Sequence, residues 1–160
     1  MDHKAYILRT CNADMSSRNG FVWPREGVVE CPDWKPTTWC GNGLHGALWG
    51  EGDGALLSWE ADAVWVVAGV DEWIDLNGKV KFPRADVVFA GPRDEAVAEI
   101  IKRGAKGAVI GGTASAGDDG TLCLSHWDGK RRRIVIAYVG EDGVKPNTAY
   151  RLRDGKLVEA

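Results

Sequence analysis

The chain has 160 residues, with 20 Lys and Arg against 23 Asp and Glu, a net charge of −3, and 44% hydrophobic and 27% charged content. That balance suits a globular protein that needs no disulfide staple, and it gives bulk electrostatics no pull toward nucleic acid or an anionic membrane. No apolar run is long enough to span a bilayer, and "MDHKAYILRT" lacks the apolar core of a signal peptide, so the expected compartment is the cytoplasm.

In chain order, "AYILRTC" is the first predicted strand, short and rich in β-branched and aromatic residues. The stretch "CGNGLHGALWGEGDG" follows a polar segment with two prolines, and its Gly41, Gly43 and Gly46 match the dinucleotide pattern G-x-G-x-x-G. That pattern holds a pyrophosphate only where a buried strand leads in and a helix leads out. Proline removes the N–H that a central strand needs, and three more glycines follow before a helix can lengthen, each costing about 1 kcal/mol relative to alanine. The motif is therefore expected to be a turn and a pocket wall without dinucleotide affinity, with a short helix over 44–49 or 55–59 as a further local element. "AVWVVAGV" and "KVKFPRADVVFAG" are the next predicted strands. "RDEAVAEIIKRG" places Ala96, Val97, Ile100 and Ile101 on one stripe, with acidic residues early, basic residues late and Gly104 as C-cap. One main helix near 93–103 is expected there. "GTLCLSHW", "RIVIAYV" and "AYRLRDGKLVEA" complete the strands. The fold class is accordingly α+β, mostly antiparallel sheet with one main helix, in a single domain 1–160: a Trp- and Gly-rich portion 1–92, then the helix and C-terminal β-hairpins over 93–160.

From Glu51 to Asp75 the chain carries seven carboxylates and no lysine or arginine, interleaved with Trp59, Trp65 and Trp73. Rigid aromatic rings anchor interfaces, and crowded like charges are best offset by a cationic partner. Glu51, Asp53, Trp59, Asp62, Asp71, Glu72 and Trp73 are thus the expected contact residues for a protein partner with a basic surface, with no direct nucleic-acid or membrane binding. The basic run from Lys130 to Arg133 reads as a solvated hairpin arm. Cys31, Cys40 and His45 lack the close ligand pair of structural zinc modules, so no metal is expected and Cys11, Cys31, Cys40 and Cys123 are expected to be reduced. Nothing favours pairing a cysteine nucleophile with His3, His45 or His126. "GEGDGALLSWE" lacks calcium-ligand spacing and "GGTASAG" lacks the end of a phosphate loop, so no cofactor is expected and the reading leans against an enzyme.

At "YILRTCNADMSS", "CGNGLHG", "GTASAG" and "YVGEDGVKPNTAYRL" the chain resembles a family of uncharacterised bacterial and phage proteins. In that family a domain with a Cys-x-x-Gly-[Phe/Leu]-His signature precedes repeats of the Gly-Thr-Ala-Thr-Ala-Gly type. The resemblance implies a non-catalytic phage or prophage accessory protein that binds a macromolecule, with inhibition of a host defence complex through the acidic, Trp-rich face as its concrete form. A single repeat is present here, which leaves no repeat-based surface such as an ice-binding face. "GNGLHGAL" is also similar to a core strand of ADP-ribosyltransferases. That second resemblance implies an NAD-using enzyme with Arg9 near the ribose, His45 lining the pocket and Glu72 as the nearest carboxylate for the cationic transition state.

Overall fold

The computed structural model describes residues 2–52, 54–106, 109–110, 116–127, 130–153 and 155–159. The chain divides into two compact units, Met1–Gly111 and Gly112–Ala160. The first is built on a seven-stranded sheet: β1 (Ala5–Cys11), β2 (Gly27–Glu30), β3 (Leu44–Leu48), β4 (Val64–Val70), β5 (Ile74–Asp75), β6 (Val80–Phe82) and β7 (Arg84–Gly91). Their spatial order is β2-β7-β4-β1-β3-β6-β5, and every pairing is antiparallel. The second unit holds two hairpins, β8 (Thr121–Trp127) with β9 (Arg132–Tyr138) and β10 (Tyr150–Arg153) with β11 (Lys156–Glu159). Its small core is Leu122, Val144 and Tyr150. The expected mostly antiparallel α+β class holds, and the helix is a minor part of it.

β4, and β1 from Ala5 to Leu8, are apolar because both of their faces are covered. Alternate residues point to opposite sides of a strand. Ala5 and Ile7 of β1 therefore join Val66, Ala68 and Val70 of β4 in one core, together with Met15 and Trp23 from the segment after β1. Tyr6 and Leu8 join Trp65 and Val67 on the other face. There α1 (Arg93–Lys102) covers the sheet with Ala96 and Ile100, while Ile101 faces solvent. The helix opens after Pro92, with Asp94 and Glu95 in its first turn and Lys102 in its last. Gly104, at φ +112°, takes the left-handed conformation that ends it.

Two local expectations are corrected. "KVKFPRADVVFAG" is not one strand: Pro83 divides it into β6 and β7, which lie on opposite sides of the β1–β4 pair. The proposed short helix does not form over 44–49, where β3 runs, and 55–59 contributes to only one 3-10 turn, Gly54–Leu56. Residues 44–48 are held extended because β3 lies between β1 and β6 and is hydrogen-bonded to both. The glycine motif is a turn that runs into this strand. Gly41 has φ +99°, a Cβ on Gly43 would lie 2.3 Å from Lys81 Cγ, and one on Gly46 would lie 2.8 Å from Ile7 Cδ1. Close approach to neighbouring strands therefore selects glycine at the second and third positions. Gly46→Val is expected to lower unfolding stability by about 1–3 kcal/mol through overpacking against Ile7, measured by urea denaturation; unchanged stability would refute the close approach.

Candidate functional site

A cleft of about 560 Å³ opens in the first unit where β1 and β3 part company. The paired residues of these strands are only Ile7 with Leu48 and Leu8 with Ala47, whereas β1 pairs with β4 over its full length. Beyond Leu8 the backbone ladder is replaced by a side chain. Arg9 Nη1 donates to the His45 carbonyl at 3.3 Å and Nη2 to the Thr10 carbonyl at 3.3 Å. The guanidinium lies over the Trp23 ring, 3.9 Å from its centroid, a favourable stacking arrangement for a partly desolvated cation. Arg9 and Cys11 share the face of Ala5 and Ile7, which is how the strand period brings a cation to the edge of an apolar core.

The opposite wall is the turn Cys40–Gly43, fixed from behind by Lys81. This lysine is fully buried on β6, and its ammonium donates to Thr37 Oγ1 at 3.2 Å, the Trp39 carbonyl at 2.9 Å and the Gly41 carbonyl at 3.3 Å. Lys79 at the rim donates to Cys40 Sγ at 3.2 Å, and Asp33 accepts from Cys31 Sγ at 3.1 Å and Asn42 Nδ2 at 2.6 Å. All four cysteines are free thiols. Burial raises the Cys11 thiol, against the opposing charge of Arg9, so Cys11 stays neutral and leaves the guanidinium uncompensated. Among the described residues, no cluster of three or more His, Cys, Asp or Glu is placed to hold a metal.

His45 stands in a cationic environment. Its pKa is lowered to about 4, first by burial and then by Lys79, Arg9 and Lys81, with a hydrogen bond to the Gly43 backbone opposing the shift. Arg9 Nε, Trp23 Nε1 and His45 Nε2 are buried atoms without a hydrogen-bond partner, three of the five such side-chain atoms among the described residues. Sequence reasoning had singled out Arg9 and His45 but missed Trp23, Cys11 and the role of Lys81. The available signal was a lysine inside the apolar run "VKF", where a charge must find oxygens or stay out of the core.

The other expected site residues are not gathered here. Glu72 lies two residues beyond the end of β4, whose Val70 pairs with Ala5 at the far end of β1 from Arg9, and it does not line the cleft. The Arg9, His45 and Glu72 constellation of an ADP-ribosyltransferase is thus not assembled. The acidic segment is divided by β4. Trp59 and Asp62 precede the strand and Asp71, Glu72 and Trp73 follow it, about 20 Å away at the rise of an extended chain. Asp71 accepts from His3 Nδ1 and the Lys4 N–H, both at 3.1 Å, and Trp59 Nε1 donates to the Gly54 carbonyl at 2.9 Å. Glu51 is exposed in the turn after β3, and Asp53 lies outside the described residues, as do residues 111–115 of the single repeat.

The depressed His45 pKa has a definite sign. The stability contributed by its neutral form is complete above the ordinary pKa of 6.5 and is lost as pH falls from there through about 4. Thermal melts at pH 7 and pH 4.5 should show a larger fall in the parent than in His45→Gln; equal falls would remove His45 from this cationic pocket.

In sequence, the chain is similar to a set of ice nucleation proteins. The chain is 44% identical over 104 residues to the ice nucleation protein InaU of Pantoea ananas, 62% of this chain and 10% of that protein. It is 50% identical over 98 residues to an ice nucleation protein of Xanthomonas campestris pv. translucens, 59% of this chain and 6% of that protein. A Pseudomonas syringae ice nucleation protein is 48% identical over 94 residues, 56% of this chain and 8% of that protein. The matched stretch thus spans at most a tenth of these relatives. No solved structure matches the chain. These matches overturn the phage, prophage and host-defence-inhibitor expectations, and they lend nothing to an ADP-ribosyltransferase. The cytoplasmic assignment falls with them, because it rested on composition and the first ten residues, while the relatives are ice nucleation proteins. No helix among the described residues is long and apolar enough to cross a membrane. Residues 5–99 match the family model described as Domain of unknown function (DUF7666), and since that match takes in more than half of the chain, the chain belongs to this family.

Proposed function

We propose that the first unit is an accessory module of the ice-nucleation kind, which supports nucleation through its cleft and does not itself template ice. The observation that carries this reading is 44–50% identity to ice nucleation proteins over a stretch that is only 6–10% of their length. A segment so small beside the remainder is a part with its own task. The fold supports the division of labour. Residues of β1 and β4 are buried on both faces of the sheet, so these strands offer ice no flat, regular, solvent-facing array. What the unit offers is a recess whose lining includes Arg9, His45 and Lys79, a concave surface with a few polar groups of the kind small-ligand sites use.

A chimera tests the reading. Residues 1–111 replace the homologous stretch of the Pseudomonas syringae relative, and droplet freezing is recorded for cells that express the chimera, the intact relative, this chain alone or the relative lacking the stretch. The chimera is expected to freeze droplets at the temperature of the intact relative, and this chain alone to freeze them no earlier than cells without it. A chimera no better than the deletion, or early freezing by this chain alone, overturns the proposal.

A further inference from the structure

We propose that the cleft between β1 and β3 is an oxyanion site, which takes the carboxylate or phosphate group of a small ligand between Arg9 and Lys79. This deepens the preceding reading by naming the ligand chemistry of the same cleft.

Three observations carry it. The first is charge without compensation. In a chain of net charge −3, Arg9 and Lys79 line the cleft and Lys81 lies behind its wall, yet among the described residues none of the three forms an ion pair with a carboxylate. Arg9 is held by two carbonyl oxygens, the neutral Cys11 thiol and an aromatic ring, and Lys79 by a thiol sulfur. Asp33, the one carboxylate in the lining, is already engaged with Cys31 and Asn42. Partly buried cations left in this condition are costly, and an arriving anion offsets the cost.

The second observation is unspent hydrogen-bonding capacity. Arg9 Nε and Trp23 Nε1 are donors with no acceptor, and they sit on two stacked side chains. A guanidinium whose Nη atoms are pinned by the main chain is oriented in advance, and planar two-oxygen groups are what its remaining donors match. The third is the strand geometry. Because β3 leaves β1 after Leu8, the carbonyl of His45 is met by a side chain, and the space so opened is enclosed by the turn that Lys81 ties down. Nucleotide-sized ligands are not required by this geometry, and the glycine motif supplies close packing instead of a phosphate cradle.

The test uses the intact chain at pH 7 and low ionic strength, with inorganic phosphate and acetate as separate probes in calorimetric titration, and NMR to follow the His45 ring. At least one probe is expected to bind saturably and to raise the His45 pKa from about 4, because a bound anion favours the imidazolium. Arg9→Gln is expected to weaken binding roughly tenfold or more, as losing a charge-assisted hydrogen bond does. Lys79→Gln, which alters a rim residue and should preserve folding, is expected to weaken it severalfold. Phosphate binding without acetate binding assigns a phosphate ligand, and the reverse assigns a carboxylate. If neither probe binds, or if Lys79→Gln and a folded Arg9→Gln bind like the parent, the oxyanion site is wrong. That failure would leave the module reading to be judged separately by droplet freezing.

Discussion

The arrangement of the first unit depends on one buried charge. Lys81 occupies a position on β6 whose neighbours, Val80 and Phe82, belong to the core, so its ammonium is removed from water. An ammonium in that position must find oxygens for its three protons, because an unsatisfied buried charge costs several kcal/mol. The oxygens come from Thr37, Trp39 and Gly41, and the Trp34 ring adds its face at 5.4 Å. A polar segment with two prolines, which has no ladder of its own to obey, is thereby wrapped around a fixed point. Gly43 is the consequence next door, since any side chain there would occupy the space of the lysine stem.

The same tie converts a strand edge into a cleft. The Cys40–Gly43 turn is held away from β1, and the ladder between β1 and β3 ends after two residue pairs. Arg9 fills the gap in hydrogen bonding without filling the gap in space. His45, only partly buried, is kept neutral first by desolvation and then by the nearby charges of Lys79, Arg9 and Lys81. Charge is therefore distributed within the fold in a way that net charge conceals. Asp62 precedes β4 and Asp71 and Glu72 follow it, whereas Arg9, Arg18 and Lys79 line one recess.

Family membership and the cleft address different questions. The match over residues 5–99 lies within the unit that contains the cleft, and it brings relatives whose remaining length has no counterpart in this chain. Shared ancestry sets the context in which such a module works. The chemistry available to it comes from Arg9, Trp23, His45, Lys79 and Lys81, since a fold by itself does not specify a ligand.

By itself the sequence determined the elements with strong local signals. The strand "AYILRTC", the helix over 93–102 with Gly104 at its end, and the three C-terminal strand segments are set by side-chain period, turn residues and charge at helix ends, all of which act within a few residues. It also determined what the glycine motif is not, because two prolines before it exclude a buried strand. Only the tertiary structure decided the rest. Whether 44–48 became helix or strand depended on partners at Leu8 and Lys81, far away in sequence, and the division at Pro83 sent β6 and β7 to opposite sides of β1 and β4. The acidic segment looked like one face because its residues are adjacent in sequence, and it was divided because an extended strand carries its two ends apart. Arg9 and His45 were visible as candidates, but their meeting with Trp23, and the burial that leaves three polar atoms unpartnered, arise from long-range packing that no local pattern encodes.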